Sequence, residues 1–167
     1  YTDEDIAKRV TYVEASRGCP YRCKFCLSSL DKAVRAVDAD SFFADMNVLI
    51  ERGARDFKFI DRTFNLNIAF SLSILEFFLN HPVQGFTLHF EMVPDRLPDS
   101  LRSALQRFPP GMVQLEIGIQ TFNPDVSKRI DRPQRTDRIL ENLRFLRQHT
   151  EMYLHVDLIA GLPGESI

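Results

Sequence analysis

Cysteine is scarce in this 167-residue sequence, and its three copies, Cys19, Cys23 and Cys26, all fall within residues 19–26. An odd number of clustered thiols is not the pattern of a disulfide framework, and three is one ligand short of a closed tetrahedral zinc site. Either a fourth ligand arrives from elsewhere in the fold, or an open coordination position is part of the function. Clustered thiols of this kind also fit the reducing cytoplasm better than a secreted protein.

Neither sign of charge is in excess, since 23 acidic and 21 basic residues give a net charge of −2. This balance does not indicate nucleic acid or a membrane surface as a partner. The most apolar run, residues 69–79, is interrupted by Ser71, Ser73 and Glu76 and is well short of the roughly 20 residues of a membrane span. The opening residues lack the features of a signal peptide. We therefore expect a cytoplasmic globular domain over residues 1–167, cut from a longer protein whose flanking domains are absent here.

Short runs of β-branched and aromatic residues alternate with segments of helical period. The predicted strands cover 10–15, 57–60, 86–91, 113–119 and 153–160. The predicted helices cover 42–50, with Ser41 as the predicted cap, 68–79, 101–108 and 139–146. This alternation predicts an α/β fold with a parallel sheet and right-handed crossovers. The periodicity leaves open whether that sheet is a doubly wound open sheet or a full or partial barrel.

Polar or glycine-containing groups follow the C-terminal end of every predicted strand. They are the cysteine segment, DRTFN (61–65), Glu91 with the following MVPDR, Gln120 with Thr121, and Asp157 with GLPGE (161–165). In a parallel α/β architecture these strand ends converge on one face, where ligands bind. The sequence therefore predicts one composite site.

Structural roles account for part of this polarity. Helix caps or turns are the favoured interpretation of Asp61, Asn65 and Asn123. Asp157 lies between Val156 and Leu158, which predicts a buried carboxylate that needs a partner or a ligand. Glu91 and Glu116 also have apolar neighbours in the sequence. For each of them, a side chain that points outward or forms an ion pair is as good an interpretation as a ligand contact.

The four histidines show no paired metal-binding spacing, so structural or surface roles are favoured for them. They are His81, His89, His149 and His155. The CxxxCxxC spacing of the cysteines can direct three thiolates at one centre, and thiolates select zinc or iron–sulfur chemistry. Zinc would need a fourth protein ligand, for which His89 from another strand is one candidate. A 4Fe-4S cluster held through three of its irons would leave the fourth free for a ligand.

The segment GCPYRCKFC (18–26) resembles the CxxxCxΦC motif of the radical S-adenosylmethionine (SAM) enzymes, with Phe25 as the aromatic residue Φ. FEMVPD (90–95), EIGIQTFNPDVSKRIDR (116–132) and HVDLIAGLPGE (155–165) resemble the third, fourth and fifth strand segments of the subgroup that includes oxygen-independent coproporphyrinogen oxidase. EASRGCPYRCKFCLSS (14–29) and FKFIDRTFN (57–65) are similar to stretches of bacterial radical SAM proteins that carry a cobalamin-binding domain.

The resemblance implies a partial (βα)6 TIM-like barrel of parallel strands, truncated here after the fifth strand. It implies a 4Fe-4S cluster, SAM as a small-molecule partner, an electron donor of reductase or flavodoxin type, and a substrate that it does not specify. For the full-length protein it adds cobalamin. The implied iron ligands are Cys19, Cys23 and Cys26. The implied SAM-binding residues are Phe25, Asp61, Glu91, Gln120, Arg132, Asp157, Ile159 and Gly161.

The resemblance departs from the family pattern at DRTFN, which stands where the family usually has a Gly-Gly-Glu segment near the methionine amino group. On the resemblance, the expected reaction is reductive cleavage of SAM to a 5'-deoxyadenosyl radical that abstracts hydrogen from a substrate. The alternative is a binding or electron-transfer module that is stapled by zinc or an iron–sulfur cluster and performs no SAM chemistry.

Overall fold

The computed structural model describes residues 1–165; Ser166 and Ile167, which the predicted domain also includes, lie outside the described residues. Within residues 1–165 the chain forms seven strands: β1 (Thr11–Val13), β2 (Ser16–Arg17), β3 (Arg35–Ala36), β4 (Asp56–Phe59), β5 (Thr87–Met92), β6 (Val113–Gln120) and β7 (Tyr153–Leu158). Six α-helices accompany them: α1 (Asp3–Lys8), α2 (Ala39–Glu51), α3 (Ile68–Asn80), α4 (Asp99–Leu105), α5 (Pro124–Arg129) and α6 (Thr136–His149).

Five of the strands form one parallel sheet in the order β1-β4-β5-β6-β7, while β2 and β3 pair antiparallel beside it. The order follows the sequence without the reversal that defines a doubly wound sheet, and it is the order of strands in a (βα) barrel. The predicted α/β fold with a parallel sheet is therefore confirmed, and its topology is that of a partial barrel.

The two faces of the sheet differ in polarity. Along β5, Leu88, Phe90 and Met92 are buried, while the alternate residues His89 and Glu91 are only partly buried. The buried strand residues belong to the same hydrophobic core as the apolar faces of α2, α3, α4 and α6. Because successive strand residues point to opposite faces, the helices cover the apolar face and the polar face is left as the concave side of the sheet.

Aromatic rings dominate the centre of this core. Phe59 on β4 and Phe90 on β5 are fully buried, with ring centroids 4.6 Å apart. Phe64, which follows β4, places its ring centroid 4.0 Å from that of Phe90. These contacts join the end of β4 to the middle of β5, so the core packing also fixes the segment that follows β4.

Short polar segments begin the helices, although not always at the predicted residue. α2 begins after Asp38, whose side chain accepts a hydrogen bond from the Ser41 backbone N–H at 3.0 Å. Ser41 was the predicted cap; it lies in the first turn instead. The predicted cap Asn123 is confirmed, because its side chain accepts hydrogen bonds from the Asp125 and Val126 backbone at the start of α5.

Several element boundaries differ from the prediction. The first strand, predicted over 10–15, is confined to Thr11–Val13, because the chain then leaves the sheet to form β2. The last strand, predicted over 153–160, ends at Leu158. Two six-residue helices, α1 and α5, were missed because six residues are too few to establish a helical period. In the part of the chain that the structure describes, no helix is long and apolar enough to cross a membrane.

We predict that Phe90→Ala lowers the free energy of unfolding by about 3–5 kcal/mol, because it removes a fully buried ring and leaves a cavity between β4 and β5. Urea denaturation followed by circular dichroism measures the change. Val48→Ala is the control, since Val48 is 51% exposed on α2, and its effect should stay within about 0.5 kcal/mol. Equal effects of the two substitutions would contradict the packing described here.

Candidate cofactor-binding cleft

The three cysteines lie on one closed loop, residues 18–34, which we call the cysteine loop. The antiparallel pairs Ser16↔Ala36 and Arg17↔Arg35 join its two ends. Within the loop, the Cys19 backbone N–H donates to the Asp31 carbonyl at 3.1 Å. Gly18 has φ +100°, and a Cβ there would collide with the Ala33 carbonyl oxygen. The loop thus folds back closely on itself, and glycine is required at its start.

All three cysteines are free thiols that line one cleft at the C-terminal ends of the parallel strands. Cys19 and Cys23 are buried, whereas Cys26 is partly exposed. The remaining lining residues are Tyr21, Phe25, Ser28, Ser29, Arg62, Thr63, Glu91, Met92, Val93, Glu116, Gly118, Gln120, Arg132 and Asp157. The cleft therefore contains groups from the cysteine loop, from four strand ends and from the segment between α5 and α6.

Arg132 reaches into the cleft beside the cysteines. Its Nη1 lies 3.4 Å from the Cys23 Sγ, and its Nη2 donates to the Gly118 carbonyl at 2.5 Å. Its Nε is buried and has no hydrogen-bond partner among the described residues. One donor of the guanidinium is therefore unused, and buried donors normally have a partner. The positive charge of the guanidinium also favours an anionic group in the cleft beside it.

At the end of β6, the side chain of Gln120 folds back close to the backbone of Gly118. A Cβ at Gly118 would collide with the Gln120 side-chain amide, so only glycine leaves room for this contact. Gln120 itself has φ +71°, an uncommon conformation for a residue other than glycine. Its carbonyl accepts a hydrogen bond from the Ile159 N–H at 2.9 Å, which ties this strained turn to the end of β7.

Two glutamates form the floor of the cleft on the polar face of the sheet. Glu91 and Glu116 are directly paired across β5 and β6. The Glu116 Oε2 lies 3.0 Å from the His89 Nε2 and 3.7 Å from the Lys58 Nζ, and the Glu91 Oε2 lies 4.0 Å from the Arg62 Nη1. Each carboxylate thus has at least one basic neighbour within 4.0 Å.

The pKa values on this floor are shifted by burial. Burial raises the pKa of Glu91, and the nearby Glu116 carboxylate raises it further, while Arg62 and Lys58 oppose the shift. Burial also lowers the pKa of His89, aided by the Lys58 charge and opposed by Glu116. His89 lies outside the cleft lining and contacts Glu116 rather than a cysteine, so this geometry does not make it the fourth ligand of a zinc site.

The cleft contains most of the predicted site residues. The three cysteines and Phe25, Glu91, Gln120, Arg132 and Asp157 all line it. Asp157 was expected to be buried; it is exposed, because β7 is the edge strand of the sheet that the described residues form. Its position in the cleft, rather than burial, makes it a candidate ligand-binding residue.

Three predicted SAM-binding residues lie outside the cleft lining. Asp61 is buried and accepts hydrogen bonds from the Ala15 N–H and the Ser16 hydroxyl, so it does not cap a helix, and its SAM contact stays a prediction. Ile159 packs against the apolar cluster of Val126, Ile130 and Leu162. Gly161 occupies an exposed turn with φ +83°.

The sequence interpretation missed several residues of the cleft. Arg62 and Thr63 lie in the DRTFN segment, of which only Asp61 was assigned a SAM contact. Gly118 lies two residues before Gln120 on β6, so the two-residue period of a strand could have placed it on the same face. Glu116, for which a ligand contact was one of the open alternatives, also lines the cleft. Tyr21, Ser28 and Ser29 were marked only by their closeness to the cysteines.

In the described part of the chain, no three His, Cys, Asp or Glu side chains form a group that could hold one metal ion. A 4Fe-4S cluster makes a different demand, because each cysteine binds a different iron and the thiols need not converge on one point. Three free thiols on one loop and an unpartnered arginine donor beside them fit an anionic cluster with its ligands. The residues present therefore fit the implied group.

A family model described as the Radical SAM superfamily matches residues 13–167. The chain belongs to the radical SAM superfamily. This match confirms the family that the cysteine motif indicated. The 4Fe-4S cluster and SAM, which the resemblance implied, are cofactors of this family.

Among curated proteins, the chain is 27% identical to the ribosomal protein uS12 methylthiotransferase RimO of Prochlorococcus marinus over 176 residues. The alignment covers 99% of this chain and 36% of RimO. The chain thus spans about a third of the length of this curated relative.

Two solved structures share the fold. The radical SAM methyltransferase TsrM from Kitasatospora setae, with cobalamin and a [4Fe-4S] cluster bound, gives a TM-score of 0.79 at 18% identity over 95% of this chain and 32% of TsrM. Coproporphyrinogen III oxidase (HemN) from Escherichia coli, a radical SAM enzyme, gives 0.65 at 20% identity over 98% of this chain and 41% of HemN. At these identities the likeness is one of fold.

We predict that Glu91→Gln changes the pH dependence of stability. Folding raises the pKa of Glu91 above its usual value near 4.5, so the wild-type protein should lose stability relative to the variant as pH rises from about 4.5 towards neutral. At lower pH, where this carboxyl is protonated in both states, the difference should vanish. Urea denaturation of the cluster-free protein across this range measures it.

Glu51→Gln, at an exposed position on α2, controls for the loss of one negative charge in this experiment. The prediction fails if Glu91→Gln and Glu51→Gln show the same difference from wild type at every pH.

Proposed function

We propose that this chain is the core of a radical SAM enzyme that binds a 4Fe-4S cluster through Cys19, Cys23 and Cys26 and binds SAM in the cleft beside them. The observation that carries the proposal is that the cysteine loop, the ends of the parallel strands and Arg132 meet in a single cleft. Three cysteine ligands leave one iron for an external ligand, and the polar strand ends surround the space next to it.

When bound, the cluster would supply one electron for the reductive cleavage of SAM into methionine and a 5'-deoxyadenosyl radical able to abstract hydrogen from a substrate. The protein would bind and orient the reacting groups and exclude water. Cys19 and Cys23 are buried, so two of the three thiols that would hold the cluster are shielded from solvent. Cys26, nearer the surface, lies on the more open side of the loop.

The polar groups of the cleft suit the different parts of SAM. Arg132 has a forked donor and an unused Nε–H, which suits the methionine carboxylate. Asp157 can accept hydrogen bonds from the ribose hydroxyls, and Phe25, which is 40% exposed, offers an apolar surface to the adenine. Gln120 and Glu91 supply further polar atoms between these positions, with Glu91 suited to the methionine ammonium.

In this proposal the residues outside the cleft lining support those that line it. They are Asp61, Ile159 and Gly161. Ile159 holds the Gln120 carbonyl through its backbone N–H, and Gly161 allows the turn that follows β7.

The electron comes from a separate donor of reductase or flavodoxin type. RimO is a methylthiotransferase and TsrM a methyltransferase with cobalamin bound; transfer of a one-carbon or sulfur-containing group by the full-length protein, with cobalamin as a further cofactor, extends the proposal.

We expect anaerobic reconstitution with iron and sulfide to give about four irons and four sulfides per chain, the content of one cubane. After reduction and addition of SAM, the protein should form 5'-deoxyadenosine, measured by liquid chromatography. Cys23→Ala should lose most of its iron and all of this product. The matched control is Ser73→Ala, an exposed position on α3, which should behave as wild type.

A protein that holds one zinc per chain and takes up no iron or sulfide would overturn this proposal in favour of a zinc-stapled module. Cluster uptake without any SAM binding, measured by calorimetry, would instead indicate an electron-transfer module.

A further inference from the structure

The side chain of Asp61 joins the end of β4 to the start of the cysteine loop. Asp61 is 3% exposed, and its Oδ2 accepts the Ala15 N–H at 2.9 Å while its Oδ1 accepts the Ser16 hydroxyl at 2.6 Å. Ser16 begins β2, the strand that closes the cysteine loop by pairing with β3. The carboxylate therefore binds the backbone at the point where the chain leaves the sheet for the loop.

Asn65, four residues further on, makes a similar connection on the other side. It is fully buried, and its Oδ1 accepts the Val93 N–H at 3.0 Å. Its Nδ2 donates to the Val93 carbonyl at 2.9 Å and to the Arg96 carbonyl at 2.6 Å. Three hydrogen bonds thus attach residues 61–65 to the segment after β5, which also lines the cleft through Val93.

Between these two anchors lie Arg62 and Thr63, both in the cleft lining. The segment is further held by Phe64, whose ring packs on Phe59 and Phe90 in the core. Residues 61–65 are thus tied to the cysteine loop at one end, to the β5 segment at the other and to the core below. No other short segment described above is tied to both of these walls of the cleft.

We propose that Asp61 is a positioning residue for the three cysteines, and that with Asn65 it makes residues 61–65 a brace that holds the cysteine loop and the β5 segment in the geometry the cleft requires. The proposal rests on the function proposed above for the cysteines. It assigns Asp61 a role through hydrogen bonds to Ala15 and Ser16 and gives it no contact with SAM or the cluster.

The chemistry of Asp61 suggests which substitutions separate this role from general stability. An alanine at position 61 leaves the buried Ala15 N–H without its acceptor, and an unsatisfied buried donor is costly. An asparagine keeps one acceptor oxygen for Ala15, and its amide can donate to the Ser16 oxygen, because a hydroxyl both donates and accepts. Asp61→Asn should therefore retain the connection that Asp61→Ala loses.

The test measures how well the loop protects its thiols in the cluster-free protein. Cys19 and Cys23 are buried in the cleft wall, so iodoacetamide should alkylate them slowly while the loop keeps its geometry and faster when the loop opens, whereas the partly exposed Cys26 serves as an internal reference. Mass spectrometry after timed alkylation gives the ratio of the rates. We expect Asp61→Ala to raise the Cys19 and Cys23 rates relative to Cys26 by about tenfold, or about 1.4 kcal/mol of opening free energy.

Asn142→Ala is the matched control. Asn142 is also 3% exposed, its Nδ2 donates to the Pro94 carbonyl at 2.9 Å and its Oδ1 accepts from Arg102 at 2.6 Å, with no contact to the cysteine loop. It should lower the free energy of unfolding, measured with urea, without changing the ratio of alkylation rates. Asp61→Asn should stay within about twofold of wild type, and Ser16→Ala, which removes one of the two bonds, should give a smaller increase than Asp61→Ala.

The brace is refuted if Asp61→Ala leaves the ratio of alkylation rates unchanged. It is also refuted if Asn142→Ala lowers the free energy of unfolding by the same amount as Asp61→Ala and raises this ratio equally. Should Asp61→Ala fail to fold, Ser16→Ala decides the question, and an unchanged ratio in that variant also refutes the brace. This readout needs neither cluster nor SAM, so its outcome is independent of the function proposed above. In the reconstituted protein, Asp61→Ala should also bind less iron per folded chain than either Asp61→Asn or Asn142→Ala.

Discussion

Parallel pairing of the strands in the order of the sequence is the constraint on which the site depends. It sends the C-terminal ends of the five parallel strands to the same edge and helices α2, α3, α4 and α6 to the same face. The other face is left to half-buried polar residues, because apolar side chains there would have no helix to cover them. The cleft occupies the part of this polar face that the cysteine loop overhangs. The same pairing therefore produces both the hydrophobic core and the wall of charged groups opposite it.

The cleft holds a cationic group near the cysteines and anionic groups on its floor. The guanidinium of Arg132 has a thiol sulfur and a carbonyl oxygen as hydrogen-bond neighbours, so it increases the attraction of the cleft for anions. Glu91 faces a second carboxylate, and its pKa is raised. The end of the cleft near the cysteines thus favours negative charge, while the floor can hold a proton or a cation. A zwitterionic ligand such as an amino acid group matches this distribution.

The sequence sufficed for the parts of the molecule that depend on local pattern. Strand centres such as those of β5 and β6 follow from their alternation, and the cysteine motif carried the resemblance that implied the cofactors. Asp61 was misread as a cap, and the turn predicted at Asn65 is present but does not explain its side chain. The hydrogen-bond partners of these two residues lie 46 and 28 residues away, and no local pattern encodes such a contact. Asp157 was misjudged because whether a strand is central or at an edge is a property of the whole sheet. The left-handed conformation of Gln120 likewise arises from its contacts and leaves no mark in the sequence.

The closure of the cysteine loop also has a consequence for the order of folding. The pair Ser16↔Ala36 joins residues 20 apart, whereas the first parallel pair of the main sheet, Thr11↔Phe57, joins residues 46 apart. Because the entropy of closing a loop grows with the logarithm of its length, the shorter closure costs roughly 0.7 kcal/mol less. Contacts of short range generally form faster than those of long range. The three thiols can thus be gathered within a local unit before the sheet is complete, and the brace from β4 joins that unit to the sheet afterwards.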